Sequence, residues 1–290
     1  MHETGSAPGH TLPFPVPMKK VVFINFGSAR FTHRQMLQLL SAKLAGKADQ
    51  VHGFQPKHLK KLGFYNTHPW AHPSQRGFAF WSWKPFIIHH ALRQVQDGDM
   101  VIYSDVGRPW VRMFHHSLSS VQQWLEELRQ DIMPGIYIPY TGTIGNWTKA
   151  ATLNQMESLS PDMLNSPPIQ TSFSVWRKTP ATVRLAEEWE EKCRHLSLVG
   201  DYDANTDIPN SPSFKDHRHD QAIFSILCFQ HHLKALDSIG GQRPEVDKDL
   251  DAWLQLQGAP PSGACADALL NGLSATARKL ESAVRTCLKK

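Results

Sequence analysis

Met100-Val101-Ile102-Tyr103-Ser104-Asp105-Val106-Gly107 is the stretch on which the fold of this chain turns. Four apolar residues in a row, closed by a polar pair and a glycine, are the pattern of a buried strand that runs into a loop. Ahead of it, Pro85, Phe86, Ile87, Ile88, Ala91, Leu92 and Val95 recur at helical spacing, with Pro85 in the first turn and Asp97-Gly98 as the stop. A helix delivered into a buried strand predicts an open α/β sheet, and such sheets gather ligands beyond the carboxyl ends of their strands. Asp105 stands at that end.

The same pattern appears on either side. Val21-Val22-Phe23-Ile24-Asn25-Phe26, closed by Gly27-Ser28, predicts a first buried strand, followed by a helix over roughly Arg34 to Leu44 and a second strand at Val51 to Gln55. Pro69 to Gly77 reads as loop. Beyond Gly107, a helix is expected near Ser119 to Arg129, strands at Ile136 to Pro139 and Gln170 to Trp176, and helices at Thr182 to Arg194 and Asp220 to His232. The fold class is α/β, a Rossmann-like sheet flanked by helices. Its divisions are a flexible start over 1–17, a catalytic domain over 18–240 and a helical extension over 241–290.

Composition narrows the field. The 290 residues carry 41% hydrophobic and 20% charged side chains, enough apolar area for a sizeable core. Thirty-one Lys and Arg against 26 Asp and Glu give a net charge of +5, which favours anionic partners. The basic residues form no dense run and no RNA-binding signature, so no nucleic-acid partner is expected. Cys193, Cys228, Cys265 and Cys287 are too scattered for a zinc ribbon or redox pair and read as free thiols. The start lacks a secretory pattern and no apolar run is long enough to span a bilayer. A cytoplasmic protein is expected, with peripheral contact at the inner face of the membrane open to the C-terminal helix.

Several residues can carry chemistry. Asp105 at a strand end suits a divalent cation; it equally suits an aspartate that closes its own turn. His217, His219 and Asp220, in His217-Arg218-His219-Asp220-Gln221, offer imidazole and carboxylate groups at a helix start, as metal ligands or a general base. The plain alternative is a helix-capping Asp220 with solvated histidines. Trp81 and Trp83 share one side of an extended segment, as a stacking platform for a sugar or as core, and Lys84 is a point charge for phosphate or a solvated helix-start lysine.

Taken together, Gly77-Phe78-Ala79-Phe80-Trp81-Ser82-Trp83-Lys84-Pro85, Asp97-Gly98-Asp99 and Tyr103-Ser104-Asp105-Val106-Gly107 resemble a bacterial family of polysaccharide glycosyltransferases of the capsule or O-antigen type. Gln170-Thr171-Ser172-Phe173-Ser174-Val175-Trp176 and His217-Arg218-His219-Asp220-Gln221 continue the likeness over residues 20–235. The resemblance implies a GT-A-type fold and transfer of a sugar from a nucleotide diphosphate, with a UDP-sugar as the expected donor and a saccharide or lipid-linked saccharide as acceptor. It implies Mn²⁺ or Mg²⁺ held through Asp105 with His217 and His219, although Gly107 stands where the wider Asp-x-Asp motif has its second acid. Asn25, Phe26, Gly27, Lys84 and Ser104 become expected donor contacts, and Asp220, His219 and Asp105 the expected catalytic groups. Two rivals stay in view. One is a carbohydrate- or nucleotide-binding module without turnover. The other is a nucleotidyltransferase, for which Asn25-Phe26-Gly27-Ser28 is poor in glycine.

Overall fold

The structure is a computed structural model that describes residues 20–28, 31–44, 47–106, 125–126, 128–137, 142–157, 159–202 and 208–235. The 1–17 start, the 241–290 extension and most of the helix expected at 119–129 lie outside the described residues, as do Gly107, Cys265 and Cys287.

The described residues open with β1 (Val21–Phe26), every residue of which is buried, then α1 (Thr32–Leu44) and β2 (Gln50–Phe54). Two short helices follow, α2 (Pro56–Lys61) and α3 (Phe64–Thr67). Next come α4 (Trp83–Gln94) and β3 (Met100–Ser104), the helix-strand pair that the pattern around Asp105 predicts. Beyond lie β4 (Ile132–Met133), β5 (Ile136–Tyr137), α5 (Ala150–Gln155), α6 (Pro161–Asn165), β6 (Ile169–Gln170) and β7 (Phe173–Arg177). The described elements close with α7 (Pro180–Cys193), α8 (Leu196–Val199) and α9 (His219–Gln230).

Among the described residues, five strands form one mixed sheet in the order β2-β1-β3-β7-β4. β1 pairs in parallel with β2 and β3, while β7 runs antiparallel between β3 and β4. Because successive strand residues point to opposite faces, Val22, Ile24, Val101, Tyr103 and Trp176 join one core cluster, whereas Val21, Phe23, Met100, Ile102 and Val175 join another. The first cluster is closed by α4, α7 and α9, and residues of α9 and α7 meet there as Phe224 stacks on Trp189 with centroids 4.0 Å apart. Burial on both faces explains why these strands read as continuous apolar runs.

Two expectations need correction. Gln170 to Trp176 is two strands rather than one: Thr171 and Ser172 turn between β6, which pairs with β5, and β7 in the main sheet. The segment before Lys84 is not extended, so Trp81 and Trp83 do not share a face. Phe78, Ala79, Phe80 and Trp81 all have positive φ, at 58°, 59°, 54° and 56°, and Trp83 already begins α4. With Gly77 at φ 61°, this is a left-handed turn, a conformation that costs ordinary residues roughly 1–2 kcal/mol each.

Candidate functional site

The order β2-β1-β3 places β1 between its two successors, so the chain leaves β1 toward one side and returns to the other. The carboxyl ends of β1 and β3 therefore flank a topological switch point. Alternation along β3 sends Tyr103 and Asp105 to the face covered by α4 and α9, and Ser104 to the face covered by α1.

Three charged residues meet on the first of these faces. Lys84, from the first turn of α4, holds its Nζ 3.2 Å from Asp220 Oδ2 and 3.6 Å from Asp105 Oδ1, and donates to Thr171 Oγ1 at 3.3 Å. Its ammonium also lies 5.5 Å from the Tyr103 ring centroid, and the Tyr103 hydroxyl donates to Asp105 Oδ1. The side chains of Lys84 and Asp220 are both 4% exposed, against 28% for Asp105, so Asp105 alone of the trio has an open side. Burial works against the Lys84 charge, but Asp105 and Asp220 outweigh it and hold the ammonium above its usual range. With two carboxylates to one cation, burial prevails at Asp220, whose pKa is pushed up to about 6. Burial and then the Asp105 carboxylate push the Tyr103 phenol well above its ordinary value. A solvated Lys84 and a capping Asp220 are thereby corrected: Lys84 is interior, and Asp220 lies within α9, whose N-cap is Arg218.

His217 and His219 face elsewhere. His217 Nδ1 accepts the Lys149 N–H at 3.4 Å, which puts the ring proton on Nε2, and that group donates to the Leu198 carbonyl at 2.8 Å. His219 Nδ1 donates to the Val199 carbonyl at 2.8 Å, while Lys149 Nζ reaches the carbonyls of Gly200 at 3.1 Å and Asp201 at 3.3 Å. The last carbonyls of α8, which a helix end leaves without internal partners, are thus sealed by side chains from two distant segments. Both histidines are buried rather than solvated, and burial lowers both pKa values, most strongly at His217. His219 keeps its Nε2 3.6 Å from Asp201 Oδ1, with its ring stacked on Phe80 at 5.1 Å.

On the α1 face, two of the expected nucleotide contacts, Asn25 and Ser104, are tied into a buried amide network. Asn25 donates to Gln38 Oε1 at 2.8 Å and accepts from Gln35 Nε2 at 3.1 Å, and Gln38 Nε2 donates to Ser104 Oγ and to the Asp105 carbonyl, each at 2.9 Å. The network holds the ends of β1 and β3 together and fixes the backbone under Asp105. Gly27 is packed closely: a Cβ there would stand 2.9 Å from Gln35 Cδ. Phe26 stacks on Trp83 at 4.1 Å, and Trp83 donates its Nε1–H to the Gly77 carbonyl at 3.0 Å. Trp83 is therefore core, whereas Trp81 is half-buried beside His219. Gln35, Gln38, Tyr103, Thr171 and Lys149 were not singled out in the sequence; Gln35 and Gln38, three apart on a helix, are the pair whose spacing carried a signal.

Among the described residues no group of three His, Cys, Asp or Glu side chains could hold a metal ion. Lys84 sits between the two carboxylates, and His217 spends both ring nitrogens on the backbone. In this arrangement the Lys84 ammonium occupies the space between the two carboxylates, and no chemical step is routed through a metal. No helix among the described residues is long and apolar enough to cross a membrane, and Cys193 and Cys228 are free and buried. Compared with protein families and with curated proteins, the chain matches none.

Proposed function

We propose that this chain is a glycosyltransferase of GT-A type that takes its sugar from a nucleotide diphosphate, a UDP-sugar foremost, and passes it to a saccharide or lipid-linked saccharide during surface-polysaccharide synthesis. The observation that supports the reading is the convergence of Lys84, Asp105 and Asp220, from three separate motifs, around one ammonium at the sheet's switch point.

In such a transfer the acceptor oxygen bonds to the anomeric carbon while the bond from that carbon to the diphosphate oxygen breaks. A carboxylate or the leaving group takes the hydroxyl proton. Asp105, with its open side, is the member of the trio that meets the reacting partners. Lys84 and Asp220 lie behind it and act through it: their charges set the local field, and Tyr103 fixes one carboxylate oxygen by hydrogen bond. A pKa near 6 at Asp220 puts a change in that field just below neutrality.

The test is a panel of nucleotide-sugars scored for thermal stabilisation and for release of nucleotide diphosphate, with Mn²⁺ and with a chelator, in the wild type and in Asp105→Asn. Stabilisation by one donor with release that depends on Asp105 supports the reading. Stabilisation without release, over long incubation with saccharide acceptors, would identify a binding module instead. No response to any donor overturns the proposal.

A further inference from the structure

A cavity of about 570 Å³ lies away from Asp105, on the face of the sheet beside the edge strand β2. It lies between α4, which covers β1 and β3, and the edge strand β2, whose opposite side packs against α1. Val22 and Ile24 of β1, with Ala91 and Val95 at the α4 side, give it an apolar floor. Phe54 stands in the wall with two imidazoles edge-on to it, His90 at 6.1 Å and His58 at 6.5 Å between ring centroids. Lys61, His52 and Gln94 stand at the rim, and among the described residues no Asp or Glu lines the cavity.

The chemistry of this hollow is one-sided. His58 Nδ1 accepts the Gln55 N–H at 3.1 Å, so its ring proton lies on Nε2 and makes that atom a donor. Lys61 at the rim is exposed and cationic, and Lys57 and Lys61 act on His58 as further positive charges. His90 feels Arg93, His89 and His52 against the single opposing charge of Glu190, which lies outside the lining and is already paired with His89 and Arg194. The volume is within the range of roughly 300–1,000 Å³ typical of small-molecule sites, which combine an apolar lining with a few placed polar groups.

We infer that this hollow is a second ligand site, which takes a small organic anion whose apolar or aromatic body rests on Val22, Ile24 and Phe54 and whose phosphate or carboxylate meets Lys61 and His58. The site is separate from the crevice over β1 and β3 and stands whether or not the chain transfers sugars.

The probe is phenyl phosphate, with inorganic phosphate and benzoate to separate body from charge and one anion from the other, and benzyl alcohol as the uncharged body. Binding is measured by calorimetry and located by the ring signals of His52, His58 and His90. Lys61→Glu and Gln94→Glu change exposed rim residues and so spare the fold. Phenyl phosphate or benzoate is expected to shift the His58 and His90 signals and to bind about tenfold more weakly to each variant, with affinity unchanged in Asp105→Asn. Inorganic phosphate or benzyl alcohol binding as tightly as the combined probe would overturn the inference. So would equal affinity in the wild type and both variants, or no binding at millimolar concentration.

Discussion

Replacing Lys84 by Met, of similar length, would leave Asp105 and Asp220 around one buried point with no cation between them. Removing one partner from a buried ion pair costs about 3–5 kcal/mol, so Lys84→Met is expected to melt far below the wild type. Removing a carboxylate has a different outcome, because either Asp105→Asn or Asp220→Asn leaves one anion matched to one cation. The sign at Asp220 follows from its raised pKa. From 3.8 in the unfolded chain to about 6 in the folded one, the folded state binds the proton more readily, so this group's contribution to stability falls as pH rises through that window. Above it the deficit is on the order of 3 kcal/mol. Asp220→Asn is therefore expected to melt above the wild type near neutral pH, and the two should converge at about pH 4. Calorimetric melts across that range check this; parallel curves would show that Asp220 carries no such burden. Asp105→Asn should keep its fold and lose turnover, since it alters a loop-end carboxylate with an open side rather than core volume.

The left-handed turn before α4 makes its own demands on sequence. A Cβ at Gly77 would fall 2.1 Å from Trp81 Cδ2, so Gly77→Ala must displace that ring, and a loss of several kcal/mol is expected in chemical denaturation. Ala79 is buried at φ 59°, where glycine is at ease, so Ala79→Gly should be neutral or stabilising by up to about 1 kcal/mol, the reverse of its effect in a regular helix. At the end of α8, His219→Ala strands the Val199 carbonyl and should lower stability by about 1–3 kcal/mol with nucleotide affinity retained. Elements with strong periodicity were legible: β1, α1, β3, α4, α7 and α9 lie within a few residues of their expected bounds. The turn at 77–81 was not, because five residues of ordinary composition give no local sign of left-handed backbone. The short α2, α3, α5, α6 and α8 were also missed, since each is too brief to show a helical period.

For the molecule as a whole, every residue of the charged trio, the amide network and the sealed α8 end precedes residue 236. A chain truncated after Gln257 is expected to show the same donor-induced stabilisation as the full chain; its loss in a folded, monodisperse truncation would show that the later residues complete the site. The position of Asp105 at a strand end was legible because apolar runs disclose strands and strand ends locate crevices. The partnership of Asp105 with Lys84 and Asp220 follows from three elements converging, which no local pattern encodes. The sequence also carried no sign that His217 and His219 reach the Leu198 and Val199 carbonyls, because those partners are set by the packing of a distant helix end.

That sealing of α8 also imposes an order in time. A chain synthesised from its amino end produces Leu198, Val199 and Gly200 before His217 and His219 exist, so the Leu198 and Gly200 carbonyls can already meet Thr152 and Lys149, whereas the Val199 carbonyl emerges without its imidazole partner. Lys84 and Asp105 likewise wait on the ribosome without their third partner. Both vacancies are filled when α9 docks, because His217, His219 and Asp220 arrive on consecutive stretches of one segment. A nascent chain halted before that segment is expected to carry the parallel strands of the sheet but a hydrated, unassembled crevice.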